Sequence, residues 1–108
     1  MTLERRSFAS VDELWGWLRA NHESHSGLWV VLQKAGSPTP SVTFHELLEA
    51  GIAFGWSEST RKANDSDSYL QKFTPRRSRG TTSARNLAIA AHLESDGRMT
   101  PAGRRALG

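Results

Sequence analysis

The chain has 108 residues, fourteen Lys and Arg against eleven Asp and Glu, and no cysteine. That length predicts a single domain spanning 1–108 with one core, and the missing cysteines exclude disulfides, thiolate nucleophiles and Cys-based zinc sites. No window approaches the roughly 18 consecutive apolar residues of a membrane-spanning helix. The opening MTLERRSFAS has no apolar run behind its charges, so it does not read as a secretory signal, and a cytoplasmic location is expected.

Ser10-Val-Asp-Glu13 has the form of a capping box and predicts a helix from Val11 to near His22, with Val11, Leu14, Trp15 and Leu18 on one apolar face. Phe8, just before the cap, is placed to pack against it. Leu28 to Lys34, LWVVLQK, is dense in β-branched and aromatic residues and reads as a central strand buried on both faces. Trp15 and Trp29 are assigned to the core, Trp17 and Trp56 to the lining of a groove. AGSPTPS must then be a loop, because its two prolines cannot extend a ladder.

Thr43-Phe-His-Glu46 is a second capping box, opening an apolar helix that stops at Gly55. Gly51 inside that helix implies close packing against another backbone. Trp56 to Ala63 alternates without a strongly apolar face, which suits an edge strand, with Trp56, Glu58, Thr60 and Lys62 on one side. Residues 64–68, NDSDS, form a turn. The return strand Tyr69 to Phe73 sets Tyr69, Gln71 and Phe73 on one face and is terminated by Pro75.

RRSRGTT, residues 76–82, reads as a loop. Ser83 is the N-cap of a third helix closed by Gly97, and Thr100-Pro101 starts a short last helix reaching about Leu107. The fold class is α+β, a small antiparallel sheet of about three strands packed against three to four helices.

Seven of the fourteen basic residues (Arg61, Lys62, Lys72, Arg76, Arg77, Arg79, Arg85) fall between positions 61 and 85, where Asp65 and Asp67 are the only acids. An anion-binding set of Lys72, Arg76, Arg77, Arg79, Ser83 and Arg85 follows, since guanidinium forks take phosphate or carboxylate bidentately and Ser83 opens a helix. Trp56, Tyr69 and Phe73 are the candidate aromatic lining. Against this stands a structural reading, in which Arg76 and Arg77 pair with Glu58, Asp65 or helix carboxylates, cap helix carbonyls and solvate a loop.

His22 and His25 lie close in sequence with no third ligand placed, so no metal is assigned. His45 and His92 read as surface or capping residues, and Glu58 beside Trp56 is the carboxylate to inspect for a raised pKa. There is no G-x-S-x-G, no nucleotide fingerprint and no cofactor motif, so no enzyme is recognisable.

The combination of FGW at 54–56, Y-x-x-x-F-T-P-R-R at 69–77, S-x-x-N at 83–86 and G-R-M-T-P-A-G at 97–103 resembles the YdeI/OmpD-associated family of bacterial proteins, also labelled bacteriocin-protection. Two positions depart from that pattern, Glu58 standing where the family usually has aspartate and Thr82 where it has tryptophan. The resemblance implies a link to antimicrobial-peptide or stress resistance, and supplies no catalytic mechanism or cofactor.

Three functions follow as expectations. The first is a non-enzymatic binding module that engages an anionic partner, a phosphate-bearing ligand or nucleic acid, through the basic hairpin and helix start. The second is a protein–protein interaction module using the exposed hairpin edge. The third is a small-molecule enzyme or sensor with a pocket between Trp56, Tyr69 and the third helix.

Overall fold

The structure, a computed structural model, describes residues 3–77 and 83–107. Among them, β1 (Arg5–Ser7), α1 (Val11–Asn21), β2 (Leu28–Gln33), α2 (Phe44–Phe54), β3 (Trp56–Ala63), β4 (Ser68–Pro75), α3 (Ala84–Ser95) and α4 (Pro101–Leu107) follow one another along the chain. The class is α+β, and the sheet has four strands in the order β1-β2-β4-β3. The expected three strands are corrected to four by β1, which pairs parallel to β2 beside an antiparallel β2-β4-β3 unit. Its three residues are all exposed, so it carries no alternation to read; the free edge of β2 creates it.

Caps set the helix starts. Ser10 Oγ accepts from Glu13 N, while Glu13 Oε2 reaches past the cap to Ala9 N. Thr43 and Glu46 form the full reciprocal box. The turn at 64–68 is built by Asp65, whose Oδ1 accepts from Asp67 N and Ser68 Oγ; the Ser68 bond, then the Asp67 one, hold that carboxyl below its ordinary pKa.

One face of the sheet carries the core. Leu28, Val30 and Leu32 of β2 and Phe73 of β4 are buried against Leu14, Trp15 and Leu18 of α1 and Leu47, Leu48 and Ile52 of α2. Burial of this apolar area, at roughly 25 cal/mol per Å2, holds the helical layer on the sheet. Strand β2 is not buried on both faces. Its odd positions Trp29, Val31 and Gln33 are half-buried on the opposite, outer face, because the helices pack on one side only. Trp29 is therefore not a core residue, whereas Trp56, 2% exposed, is.

Strand β3 breaks its own alternation. Glu58 stands opposite Phe73 and Arg61 opposite Gln71, so three steps on β3 match two on β4, and a bulge lies at Ser59 and Thr60. Thus Arg61 turns inward over the Tyr69 ring and Lys62 turns outward, unlike the uninterrupted pattern expected from sequence. Gln71, buried at 2%, donates Nε2 to the bulge carbonyls of Ser59 and Thr60.

Small residues let α2 be approached from two sides. A Cβ at Gly51 would meet the Trp56 carbonyl oxygen at 2.8 Å, the close backbone contact its position implied. At Gly103 of α4 a Cβ would run into the carbonyl oxygens of Ala53 and, at 2.6 Å, Ile52. Gly103→Ala is expected to lose about 1–3 kcal/mol in urea denaturation through forced separation of α4 from α2. Gly16→Ala, in α1 with nothing within 4 Å of the new methyl, is expected to gain about 0.5–1 kcal/mol.

Candidate anion-binding site

The last turn of α2 gathers the elements of the site. Gly55 adopts the left-handed conformation (φ 76°, ψ 28°), which ends the helix and turns the chain directly into β3. Helix C-termini leave carbonyls without intrahelical partners. Here Gly55 O accepts from Arg76 N at 2.8 Å, and Ala53 O accepts from Thr100 N at 3.2 Å and Thr100 Oγ1 at 2.6 Å. One bond fixes the exit of β4, and the others fix the start of α4.

The result is a cleft of about 430 Å3 lined by Arg76, Arg77 and Arg105, by Phe54, Gly55, Ala102 and Ala106, and by His22 and Glu23. Arg77 and Arg105 are exposed, and among the described residues no carboxylate forms an ion pair with either. The opposite wall is anchored by Trp56, whose Nε1 donates to His22 O at 3.2 Å. His22 Nδ1 lies 2.7 Å from Leu18 O and its Nε2 3.5 Å from Glu23. The C-terminal end of α2, which carries partial negative charge, and the Glu23 side chain border the same cleft.

Arg76 also borders a second cavity of about 280 Å3, lined by Leu48, Ile52, Trp56, Ser57, Glu58, Ser83, Arg85 and Asn86. The Glu58 side chain is 17% exposed and lies 3.8 Å from Arg85 Nη2. Burial pushes its carboxyl above the ordinary carboxylate value, with Arg85 and then Arg76 pulling the other way. Arg85 Nε also donates to Asn86 Oδ1, and the Ser83 hydroxyl accepts from Asn86 N as the N-cap of α3. Glu58, expected as a partner of Arg76 or Arg77, thus pairs with Arg85, and Ser83 is the N-cap read from the sequence.

The other predicted site residues disperse. Lys72 faces the outer side of the sheet in register with Trp29. Phe73 is fully buried in the core against Trp56, with ring centroids 5.1 Å apart. Tyr69 sits at the far end of β4, seven residues from Arg76, or roughly 23 Å at ~3.3 Å per residue, and lines instead a cavity with Phe44 and the 33–43 loop. Trp56 and Tyr69 line different cavities, Trp56 that of Ser83, Arg85 and Asn86 at the start of α3 and Tyr69 that of Phe44. Arg79 and Thr82 lie outside the described residues.

Arg105 was missed in the sequence. The available signal was Ala102-Gly103-x-x-Ala106, a small-residue spacing that marks a helix pressed against another backbone and carries position 105 to the same place. His22 and His25 have separate partners, Nδ1 of His22 lying 2.7 Å from Leu18 O and Nε2 of His25 3.2 Å from Glu4 Oε1. No group of three His, Cys, Asp or Glu among the described residues is placed to hold a metal ion. Among the described residues no helix is long and apolar enough to cross a membrane.

A family model described as a domain of unknown function (DUF8412) matches residues 6–106. No curated protein and no solved structure matches the chain.

Because the folded state raises the Glu58 pKa, it binds a proton more readily than the unfolded chain. Stability contributed by protonated Glu58 is full below the unfolded value of 4.5 and is lost as pH rises through the folded pKa. Glu58→Gln removes that titration. Urea denaturation of both proteins across this range is expected to show wild type losing stability relative to Glu58→Gln as pH rises; parallel curves would refute the burial of this carboxyl.

Proposed function

The chain belongs to the DUF8412 family, and we propose that it is a non-enzymatic binding module for a small anion, a phosphate or carboxylate group carried on an apolar body. The observation that supports this most is the convergence of Arg77 and Arg105, without carboxylate partners among the described residues, beside Arg76 in one cleft. Guanidinium groups present paired N–H donors that match both oxygens of a phosphate or carboxylate. The Phe54, Ala102 and Ala106 wall offers apolar contact to the remainder of the ligand.

The protein-interaction alternative has less support. The exposed edge strand β3 is interrupted by the bulge at Ser59 and Thr60, and such bulges disfavour addition of a partner strand. Enzymatic chemistry is not proposed, since beside its cations the cleft offers one histidine, held to its own helix, and one exposed carboxylate, Glu23, 3.5 Å from that histidine.

A thermal-shift titration with inorganic phosphate, phenyl phosphate and benzoate tests the reading. At a ligand excess of ~100 times Kd the folded state gains about 2.7 kcal/mol, raising Tm by roughly 10 °C or more. Phenyl phosphate is expected to outperform phosphate, and the double variant Arg77→Ala/Arg105→Ala to abolish the shift. Arg104→Ala, whose side chain pairs with Glu94 away from the cleft, is the control expected to keep it. No shift with any of the three anions, or an equal shift in the double variant, would overturn the proposal.

A further inference from the structure

The outer face of the sheet is a second basic surface that the cleft does not use. Positions in register on this side are Arg5 and Ser7 of β1, Trp29, Val31 and Gln33 of β2, Ser68, Leu70, Lys72 and Thr74 of β4, and Ser57 and Lys62 of β3. None is acidic. Arg5, Lys62 and Lys72 form no ion pair with a carboxylate among the described residues.

Two of these cations lie flat on the face. Lys62 crosses β4 to place Nζ 4.5 Å from the centre of the Trp29 ring, and Arg5 donates Nη1 at 3.1 Å to Asn64 Oδ1, whose Nδ2 in turn donates to Ser68 of β4. Lys62 stands in register with Leu70, which is fully buried although it is not part of the helix-facing core cluster. Trp29, only half-buried, therefore has cations on both sides, Arg5 from β1 and Lys72 and Lys62 from β4 and β3, with strands roughly 4.8 Å apart.

We infer that this face docks a single-stranded nucleic acid, with Arg5, Lys62 and Lys72 on successive phosphates and a base stacked on Trp29 once Lys62 swings from the ring to the backbone. Charge complementarity selects a polyanion, and a partly exposed aromatic ring among the cations selects one whose bases are unstacked. A duplex offers the phosphates but no free base face, and a lipid headgroup layer offers no planar ring to stack.

Fluorescence anisotropy of a labelled oligothymidylate tests the inference with the full chain. Three phosphate contacts on a single strand predict a log–log salt slope near −2, about 0.7 for each. Lys62→Ala/Lys72→Ala is expected to flatten the slope by about 1.4, and Trp29→Leu, which keeps an apolar side chain at that position, to weaken binding on the order of tenfold. Arg77→Ala/Arg105→Ala, which empties the other cleft, should leave oligonucleotide binding unchanged, so the two sites fail separately. Absence of binding at low salt, equal binding of duplex, sensitivity to the cleft variant alone, or binding of phosphatidylserine vesicles without oligonucleotide would overturn it.

Discussion

The carbonyl oxygens at the end of α2 are the groups around which the molecule closes. A helix ending beside the core leaves acceptors that cost about 1–3 kcal/mol each if buried unpaired. Ala53 O and Gly55 O are satisfied from two separate places in the chain, by Thr100 at the start of α4 and by Arg76 N beyond β4. Satisfying them draws the end of the hairpin and the last helix to one point. Gly55 and Gly103 permit that approach because neither has a Cβ to obstruct the facing carbonyls. The arginine cleft is a consequence of this closure, since Arg76, Arg77 and Arg105 enter it on the segments the carbonyls capture.

The bulge in β3 divides the basic residues of the hairpin in a comparable way. By inserting one residue between Glu58 and Arg61, it sends Arg61 inward onto Phe44 and Tyr69 and Lys62 outward toward Trp29. The Gln71 amide supports the bulge by donating to both of its free carbonyls. Positive charge that is contiguous in sequence is thus split between the helical side, the outer sheet face and the cleft. Among the described residues no one face gathers the basic side chains of the hairpin.

Much of the fold was legible because its signals are local. Ser10, Thr43, Ser83 and Thr100 each precede the helix they were read to start, and Gly55 ends α2 where its left-handed freedom predicts. Strand β1 was not legible, because a three-residue exposed strand is defined by its neighbour. Trp29 and Trp56 exchanged places for the same kind of reason: which face of a strand is covered depends on where helices pack, and the bulge leaves no trace in residue type. In the site, Arg76 and Arg77 were placed together by adjacency, and Glu58, the carboxylate marked for inspection, is pushed up by burial. Lys72 followed them in sequence but points to the opposite face, and Arg105 reaches them only through contact between α4 and α2.

The most direct measurement is an NMR titration of the arginine Nε–Hε signals with phenyl phosphate. The account predicts that Arg76, Arg77 and Arg105 shift together with one dissociation constant, while Arg98 and Arg104, held by Glu49, Asp96 and Glu94, stay in place. Shifts confined to one of the three, or spread evenly over all the arginines, would contradict a common cleft built at the end of α2.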